Sequence, residues 1–572
     1  MKNIYILIAF CVIFVFSASA QNHQWGWAKS ASQPNSSTSS ASTMAVATDE
    51  QGNVLVAGYY WSDSITFGSF TLRNTDHSGN SNDIYLVKYD ATGTVLWAVT
   101  AGGPWRDYVN AVKTDKKGNV YIAGAFYSDS ALFGGQRLYN KGPVDTLDDI
   151  YVAKYSASGA ALWAKSFGGD YYDGAEGLAT DASGDVYIGG FYRSDSISFG
   201  PYTFHDATGR QRDNTFLVKC DSMGAVVWAA TATSTDYTEI KAVCTDPSGN
   251  VFVTGRFDAA SATFGAQTIQ NQTVGWNDVF LVKYDPSGTV LWAQDAGGSL
   301  SDVAFGVAAD AHGNSYITGY YTSTSAFFGA FELDNSTTNQ ASDIFVAKYD
   351  PNGIALWANS MGGTQNESGS AIAVDSGNVY VTGYYYSPVL ALGTGDSIVN
   401  SSSAGTTDDV FLTAYSESGS LVSAIDAGGL SYDYGNGIAV DHMDNVYAGG
   451  VFASDDIVFG NTTLNNITST HNNNPFVVKY ASVPTGISTL KSIPAIRLYP
   501  NPANSMITAR SDAFKAGDVS VLIYDIAGEV IPLPYSISAD QIRFNIADLA
   551  AGIYVIRFTA GGLESRARFI KI

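Results

Sequence analysis

The chain has 572 residues, with 30 basic against 53 acidic side chains and a formal net charge of −23. So acidic a surface repels a phosphate backbone, which argues against nucleic acid as a partner. A hydrophobic fraction of 45% with 35 tyrosines is ample for a large β core.

Residues 1–20 read as a secretory signal. Lys2 is the charged start, Ile4 to Phe16 the apolar run, and Ala18-Ser19-Ala20 a small-residue cleavage site. The apolar run is too short for a stable membrane span, and no other transmembrane segment is visible. Cys11 follows Phe10, which does not suit a lipoprotein site, so the mature chain is expected to begin at Gln21.

From there to Tyr480 one unit recurs seven times, marked by Gly52, Gly118, Gly184, Gly249, Gly313, Gly377 and, in the seventh, Asp444. Each unit holds four strand signals. In repeat 2 these are the apolar run at Ala111-Val112 that ends at Asp115, then VYIAGAF, IYVAKY and ALWAKS. Tight Gly/Asn/Ser turns join the first strand to the second and the third to the fourth, the pattern of antiparallel hairpins. About twenty polar residues, read as a long loop, separate the second strand from the third. A four-stranded sheet cannot bury both faces alone, so a repeat of four strands predicts a propeller blade stacked on its neighbours. The seventh unit stops after Phe476–Tyr480, while Trp27-Ala28-Lys29-Ser30 repeats Trp163-Ala164-Lys165-Ser166 letter for letter. The N-terminal strand is therefore expected to complete the last blade and close the ring, leaving no unpaired edge. Repeat 6 departs most, with a shortened first turn (VDSGN), Leu392 for the usual Phe and Ser423 for the usual Trp.

These units resemble the bacterial seven-bladed β-propeller repeat family, over roughly residues 24–480. The resemblance implies the fold and leaves the ligand open. Residues 481–492 read as a linker by their Pro, Gly and Ser content. Beyond it, 493–572 form short alternating strands of a small β-sandwich. Residues 485–572 carry nine basic and seven acidic side chains, so the negative excess lies on the repeats. Tyr499-Pro500-Asn501-Pro502, Tyr524-Asp525 with Gly528, Gly552-Ile553-Tyr554 and the basic end Arg566–Ile572 resemble the type A C-terminal sorting domain of the Bacteroidetes type IX secretion system. That resemblance implies handling by the type IX machinery and a secreted or surface-attached protein. The expected fold is all-β: a signal peptide at 1–20, a seven-bladed propeller of four-stranded blades at 21–480, the linker, and the sorting domain.

Tight turns on one face and long, variable loops on the other place any binding site on the long-loop face. There, eight residues before the Asp that ends each first strand, five repeats carry an acid: Asp107, Asp173, Asp302, Glu367 and Asp433. Repeat 1 has Ala41 and repeat 4 Thr238 at that place. Trp105, Tyr108, Tyr171, Tyr172, Tyr432 and Tyr434 flank several of them. The acids are expected to ring the channel mouth. The preferred reading is that each fixes its own link by accepting backbone N–H bonds. The alternative is a calcium or sugar site, with Trp105, Tyr171, Tyr172 and Tyr432 for stacking. A second ring, Asp49, Asp115, Asp181, Asp246, Asp310, Asp375 and Asp441, opens D-x-x-G-N turns and reads as turn chemistry. No HExxH, GxSxG, P-loop or paired-cysteine pattern nominates a catalytic set, so no cofactor is expected. The expected function is a monomeric, non-enzymatic propeller binding an extracellular carbohydrate or protein. The alternatives are a glycan-active hydrolase or lyase, since propellers host such enzymes, and a structural surface component.

Overall fold

The computed structural model describes residues 23–572 except 35–38, 77–80, 143–146, 207–208, 210, 338, 376, 403–404, 467–471, 483–496, 512–513, 515–518, 525–530, 539–540 and 561–562. The expected signal segment and most of the linker lie outside the described residues. The named elements are fifty β-strands, with no α-helix among the described residues. The chain divides into two compact units, of which the larger is His23–Ser482.

Each repeat in that unit builds an antiparallel sheet. In repeat 2 the order runs Asp107–Thr114, Val120–Phe126, Asp149–Tyr155, Ala161–Phe167. The third strand is buried along its whole length, as in Asp149–Tyr155, because sheets cover it on both sides. Successive sheets share their cores: Leu55, Ala57 and Leu86 of repeat 1 pack with Val112, Ile122 and Tyr151 of repeat 2. The innermost strands are stitched in sequence by threonines, Thr114 Oγ1 donating to Thr48 O at 2.7 Å, Thr180 to Thr114 O at 2.7 Å and Thr245 to Thr180 O at 2.9 Å. The same stitch runs from Thr48 Oγ1 to Val440 O of repeat 7, at 2.8 Å.

The sheet of repeat 7 takes its outer strand from the N-terminus. His23–Ser30 pairs antiparallel with Asn474–Ser482, with Ala28 opposite Val478 and Ser30 opposite Phe476. The tryptophans of the outer strands tie each sheet to the next. Trp97 Nε1 donates to Ala157 O at 3.0 Å, and its indole covers Gly159, whose φ of 86° a side chain rarely adopts. Trp27, Trp163, Trp228, Trp292 and Trp357 repeat that bond to the following repeat. In repeat 6 Ser423 replaces the indole and hydrogen-bonds the Tyr480 hydroxyl instead, at 2.9 Å.

The stretch read as a long polar loop proves to be largely ordered. Each contains a two-stranded hairpin, such as Ser64–Phe67 with Phe70–Arg73 and Ser130–Phe133 with Gln136–Tyr139. Their alternate residues Ile65, Phe67, Ala131 and Phe133 are buried. The hairpin of one repeat closes the outer edge of the sheet before it, Leu132 pairing with Gly102 and Phe133 with Ala101. Four-residue strands with one apolar face give too short a period-2 signal to stand out among polar neighbours.

In the C-terminal unit one sheet orders Arg497–Tyr499, Met506–Arg510, Gln541–Asn545 and Tyr535–Ser538, and a second orders Val519–Tyr524, Gly552–Ala560 and Leu563–Lys571. Ile507, Ile523, Ile542, Phe544, Ile556 and Phe558 form its core, the inner faces of a small sandwich. Asn501 of the Tyr-Pro-Asn-Pro motif pins the last strand, donating to Arg568 O and accepting from Ile570 N, both at 2.9 Å.

Candidate functional site: the bore and its rim

The innermost strands of all seven repeats line one cavity of about 410 Å³. The side chain three places after the first residue of each strand faces it: Met44, Asn110, Glu176, Lys241, Phe305, Ser370 and Asn436. Each is the unpaired residue of a β-bulge, the one that the register skips between Val109 and Ala111 or between Ala175 and Gly177, and the bulge aims its side chain into the bore. Only repeats 3 and 4 carry a charged residue at this position. Lys241 Nζ lies 2.6 Å from Glu239 and 3.9 Å from Glu176, and Arg256 Nε 2.8 Å from Glu239. Burial pushes the Glu176 carboxyl up, an effect that Lys241 partly offsets. Lys113 also lines the cavity, and burial lowers its pKa.

Above this floor runs a chain of edge-to-face aromatics from repeat 1 to repeat 3. Trp61 meets Tyr59 at 5.0 Å, Tyr59 meets Tyr108 at 5.2 Å, Tyr108 meets Tyr127 at 6.3 Å, and Tyr127 meets Tyr172 at 6.3 Å. Tyr171 extends it at 5.0 Å, and the Arg193 guanidinium stands 6.0 Å from the Tyr172 ring while paired with Asp213. Tyr384 and Tyr434 form a second pair at 4.9 Å. Such faces and edges suit stacking on sugars and on peptide side chains. Trp105 and Tyr432 are 42% and 46% exposed, and Tyr171 and Tyr172 are half-buried.

The five repeating acids are placed differently from an open ring. Asp107, Asp173, Asp302, Glu367 and Asp433 are all fully buried. Asp173 accepts from the N–H groups of Gly169, Arg193 and Ser194 and from the Ser194 hydroxyl. That hydroxyl in turn receives Tyr171 N at 2.9 Å, and in repeat 2 Ser128 bridges Asp107 to Trp105 N in the same way. The acids therefore hold the links that display Trp105 and Tyr171. They cannot meet a ligand without giving up those bonds, which counts against the alternative of a calcium or sugar site on these carboxylates. Asp173→Asn is expected to cost about 1–3 kcal/mol for broken buried bonds, with no change in the melting temperature on adding calcium. A chelator-reversible thermal shift would contradict this. Among the described residues no group of three or more His, Cys, Asp or Glu side chains is placed to hold a metal ion.

The second acid ring is turn chemistry, as its spacing suggests. Asp49 Oδ1 accepts from Gln51 N and Asn53 N, each at 2.9 Å, and Asp49 also pairs with Lys88 at 2.7 Å. Cys220 and Cys244 are both free thiols, pushed up to about 12 by burial. The residues missed from sequence are Glu176, Glu239, Lys241 and Arg256, with Tyr59, Trp61 and Tyr127. A signal for Glu176 and Lys241 exists: their position reads Met, Asn, Glu, Lys, Phe, Ser, Asn through the repeats, while the next two places stay Ala or Gly and then Val, Leu or Ile.

The chain is 23% identical over 569 residues to an uncharacterized WD repeat-containing protein of Acanthamoeba polyphaga mimivirus, an alignment covering 83% of this chain and 40% of that one. It is 28% identical over 161 residues to the regulatory protein FlaEY of Caulobacter vibrioides, covering 28% of this chain and 17% of that one. The chain thus spans well under half the length of the curated relatives it matches. Among solved structures, a mutant of Synechocystis apocarotenoid oxygenase aligns over 81% of this chain and 96% of its own, with a TM-score of 0.34 and 8% identity. A protein of unknown function from Dyadobacter fermentans aligns over 66% and 97%, with a TM-score of 0.31 and 12% identity. Residues 497–572 match the model of the secretion system C-terminal sorting domain, which points to secretion.

Proposed function

We propose that the protein is a secreted or surface-attached, monomeric seven-bladed β-propeller, exported by the type IX machinery, that binds an extracellular carbohydrate or protein without transforming it. The N-terminal strand closes the ring in this reading. One observation carries the binding role: within the innermost strands, the position that lines the bore changes from repeat to repeat. Repeated residues serve the scaffold, whereas a ligand needs particular chemistry at particular points. Glu176, Glu239, Lys241 and Arg256 supply fixed polar groups. The Trp61–Tyr171 aromatic chain supplies stacking area beside them.

The rival reading, a glycan-active enzyme, would draw its carboxylate pair from Glu176 and Glu239. Both already share Lys241, which suits holding a polar ligand better than passing protons. Glycan-array binding run beside a glycosidase and lyase screen separates the two. Binding without turnover, weakened at least about tenfold in Tyr172→Ala through lost stacking, supports the proposal. Turnover of any glycan replaces it with the enzyme.

A further inference from the structure

Each acid that opens a first strand has a companion in the repeat before it. Asp83 stands by Asp107, Asp149 by Asp173, Asp278 by Asp302, Asp343 by Glu367, and Asp409 by Asp433, where each companion opens a third strand. All ten are at most 1% exposed. A glycine packs on the companion in each pair, Gly102, Gly168, Gly297, Gly362 and Gly428, and Gly102 and Gly297 pack on the first-strand acid as well. A Cβ on Gly102 would fall 2.5 Å from Asp83 Oδ1 and 2.9 Å from Asp107 Oδ2. On Gly297 it would fall 2.6 Å from Asp278 Oδ1 and 2.9 Å from Asp302 Oδ2. In these two pairs the carboxyl groups thus stand on either side of one residue that has no room for a side chain.

The two remaining junctions change all three positions together. Between repeats 3 and 4 stand Asn214, Thr233 and Thr238, and between repeats 7 and 1 stand Asn474, Ser32 and Ala41. Where the second acid is absent, the first is an amide and the glycine is gone. The pair is therefore a unit with a common purpose, and two isolated turn acids would not vary in concert.

Hydrogen bonding divides the labour within a pair. The first-strand acids Asp173, Asp302 and Asp433 each accept four donors, which fills a carboxylate and leaves no lone pair for a metal ion. Their companions accept on Oδ2 only, Asp149 from Lys141 N at 2.8 Å and Asp278 from Gln272 N at 2.7 Å. Oδ1 of Asp83, Asp149, Asp278 and Asp409 is buried and accepts no hydrogen bond from a described group.

We infer that the five pairs are proton-binding sites, each holding one proton, and that in the Asp149–Asp173 and Asp278–Asp302 pairs the third-strand aspartate carries it on Oδ1. In these two the first-strand acid stays ionised under its donors, and each junction keeps one negative charge in place of two.

The surroundings leave this proton little competition. Other carboxylates oppose ionisation: Asp76 near Asp83, Asp148 near Asp149, Asp295 near Asp278, and Asp408 and Asp426 near Asp409. The phenols of Tyr60, Tyr321 and Tyr385 also lie within the field of these sites. Lys141, near Asp149, is the cation among these neighbours, with Arg193 further off beside Asp148. Burial first, then the neighbouring carboxylate, holds Asp149 and Asp278 up at about 7, against an ordinary value of 3.8.

A folded carboxyl that holds its proton more tightly than the unfolded chain stabilises the fold fully at acid pH, and that stability is lost as pH rises through the folded value. The test is the melting temperature of the full chain from about pH 5 to about pH 9, with Asp→Asn variants at 83, 149, 278, 343 and 409. Asparagine already occupies this place in two junctions, so the variants are expected to fold. The wild type should melt progressively lower as pH rises, each single variant should lose about a fifth of that fall, and the fivefold variant should keep only the residue due to other buried acids. Infrared spectra at neutral pH should show a protonated-carboxyl C=O band that weakens with each substitution. Equal pH dependence in wild type and variants, or a band unchanged by them, overturns the inference. So does a calcium-dependent melting temperature that the variants lose, which would put a metal where the proton is placed.

Discussion

Deleting Gln24–Ser30 should lower the stability of the repeat unit by at least about 5 kcal/mol, on the scale of two lost core tryptophans. Trp25 packs edge-on against Phe459 at 5.2 Å and Tyr480 at 5.5 Å. Trp27 lies between Tyr89 of repeat 1 and Tyr447 of repeat 7, at 6.2 and 5.9 Å, and donates to Ala91 O. The segment therefore joins the sheet of repeat 7 to that of repeat 1. Its removal also bares Asn474–Ser482 as a long unpaired edge, so the truncated protein should self-associate. Calorimetry with light scattering checks both effects. An unchanged melting temperature and a monodisperse truncated protein would mean that the strand adds nothing to closure.

Lys241→Met is the substitution within the bore with the largest expected cost, about 3–5 kcal/mol. Glu176 and Glu239 both look to this ammonium, while Arg256 pairs with Glu239 and acts on Glu176 only from a distance. Without Lys241, Glu176 is a half-buried carboxylate that has lost its nearest cation, and it holds a proton more tightly. The double variant Lys241→Met with Glu176→Gln removes the stranded charge and should recover most of the loss. Denaturant titration of wild type, both single variants and the double variant reads the coupling. Additive losses would show that the two side chains do not act as a pair.

The repeating skeleton was legible because a strand bounded by fixed turns announces itself by period and by Gly, Asp and Asn at set offsets. Trp27-Ala28-Lys29-Ser30 pointed to its partner strand for the same reason. The outer hairpins were hidden: Ile65, Phe67, Phe70 and Leu72 are four apolar residues among the ten of Ser64–Arg73, split between two strands too short for a period. The acids at 107, 173, 302, 367 and 433 were found by their spacing, but spacing says nothing about solvent.

Chain order alone settled the β class, the repeat unit and the sorting domain at the C-terminus, since each rests on local pattern that needs no neighbour to be read. Burial of the acids against Ser128, Ser194 and Ser454, their pairing with Asp83, Asp149 and Asp409, and the meeting of Glu176 with Lys241 were decided by tertiary structure. Each of these contacts joins residues 20 or more places apart in the chain, or on different repeats. Distance and dielectric between such groups exist only once the sheets have stacked.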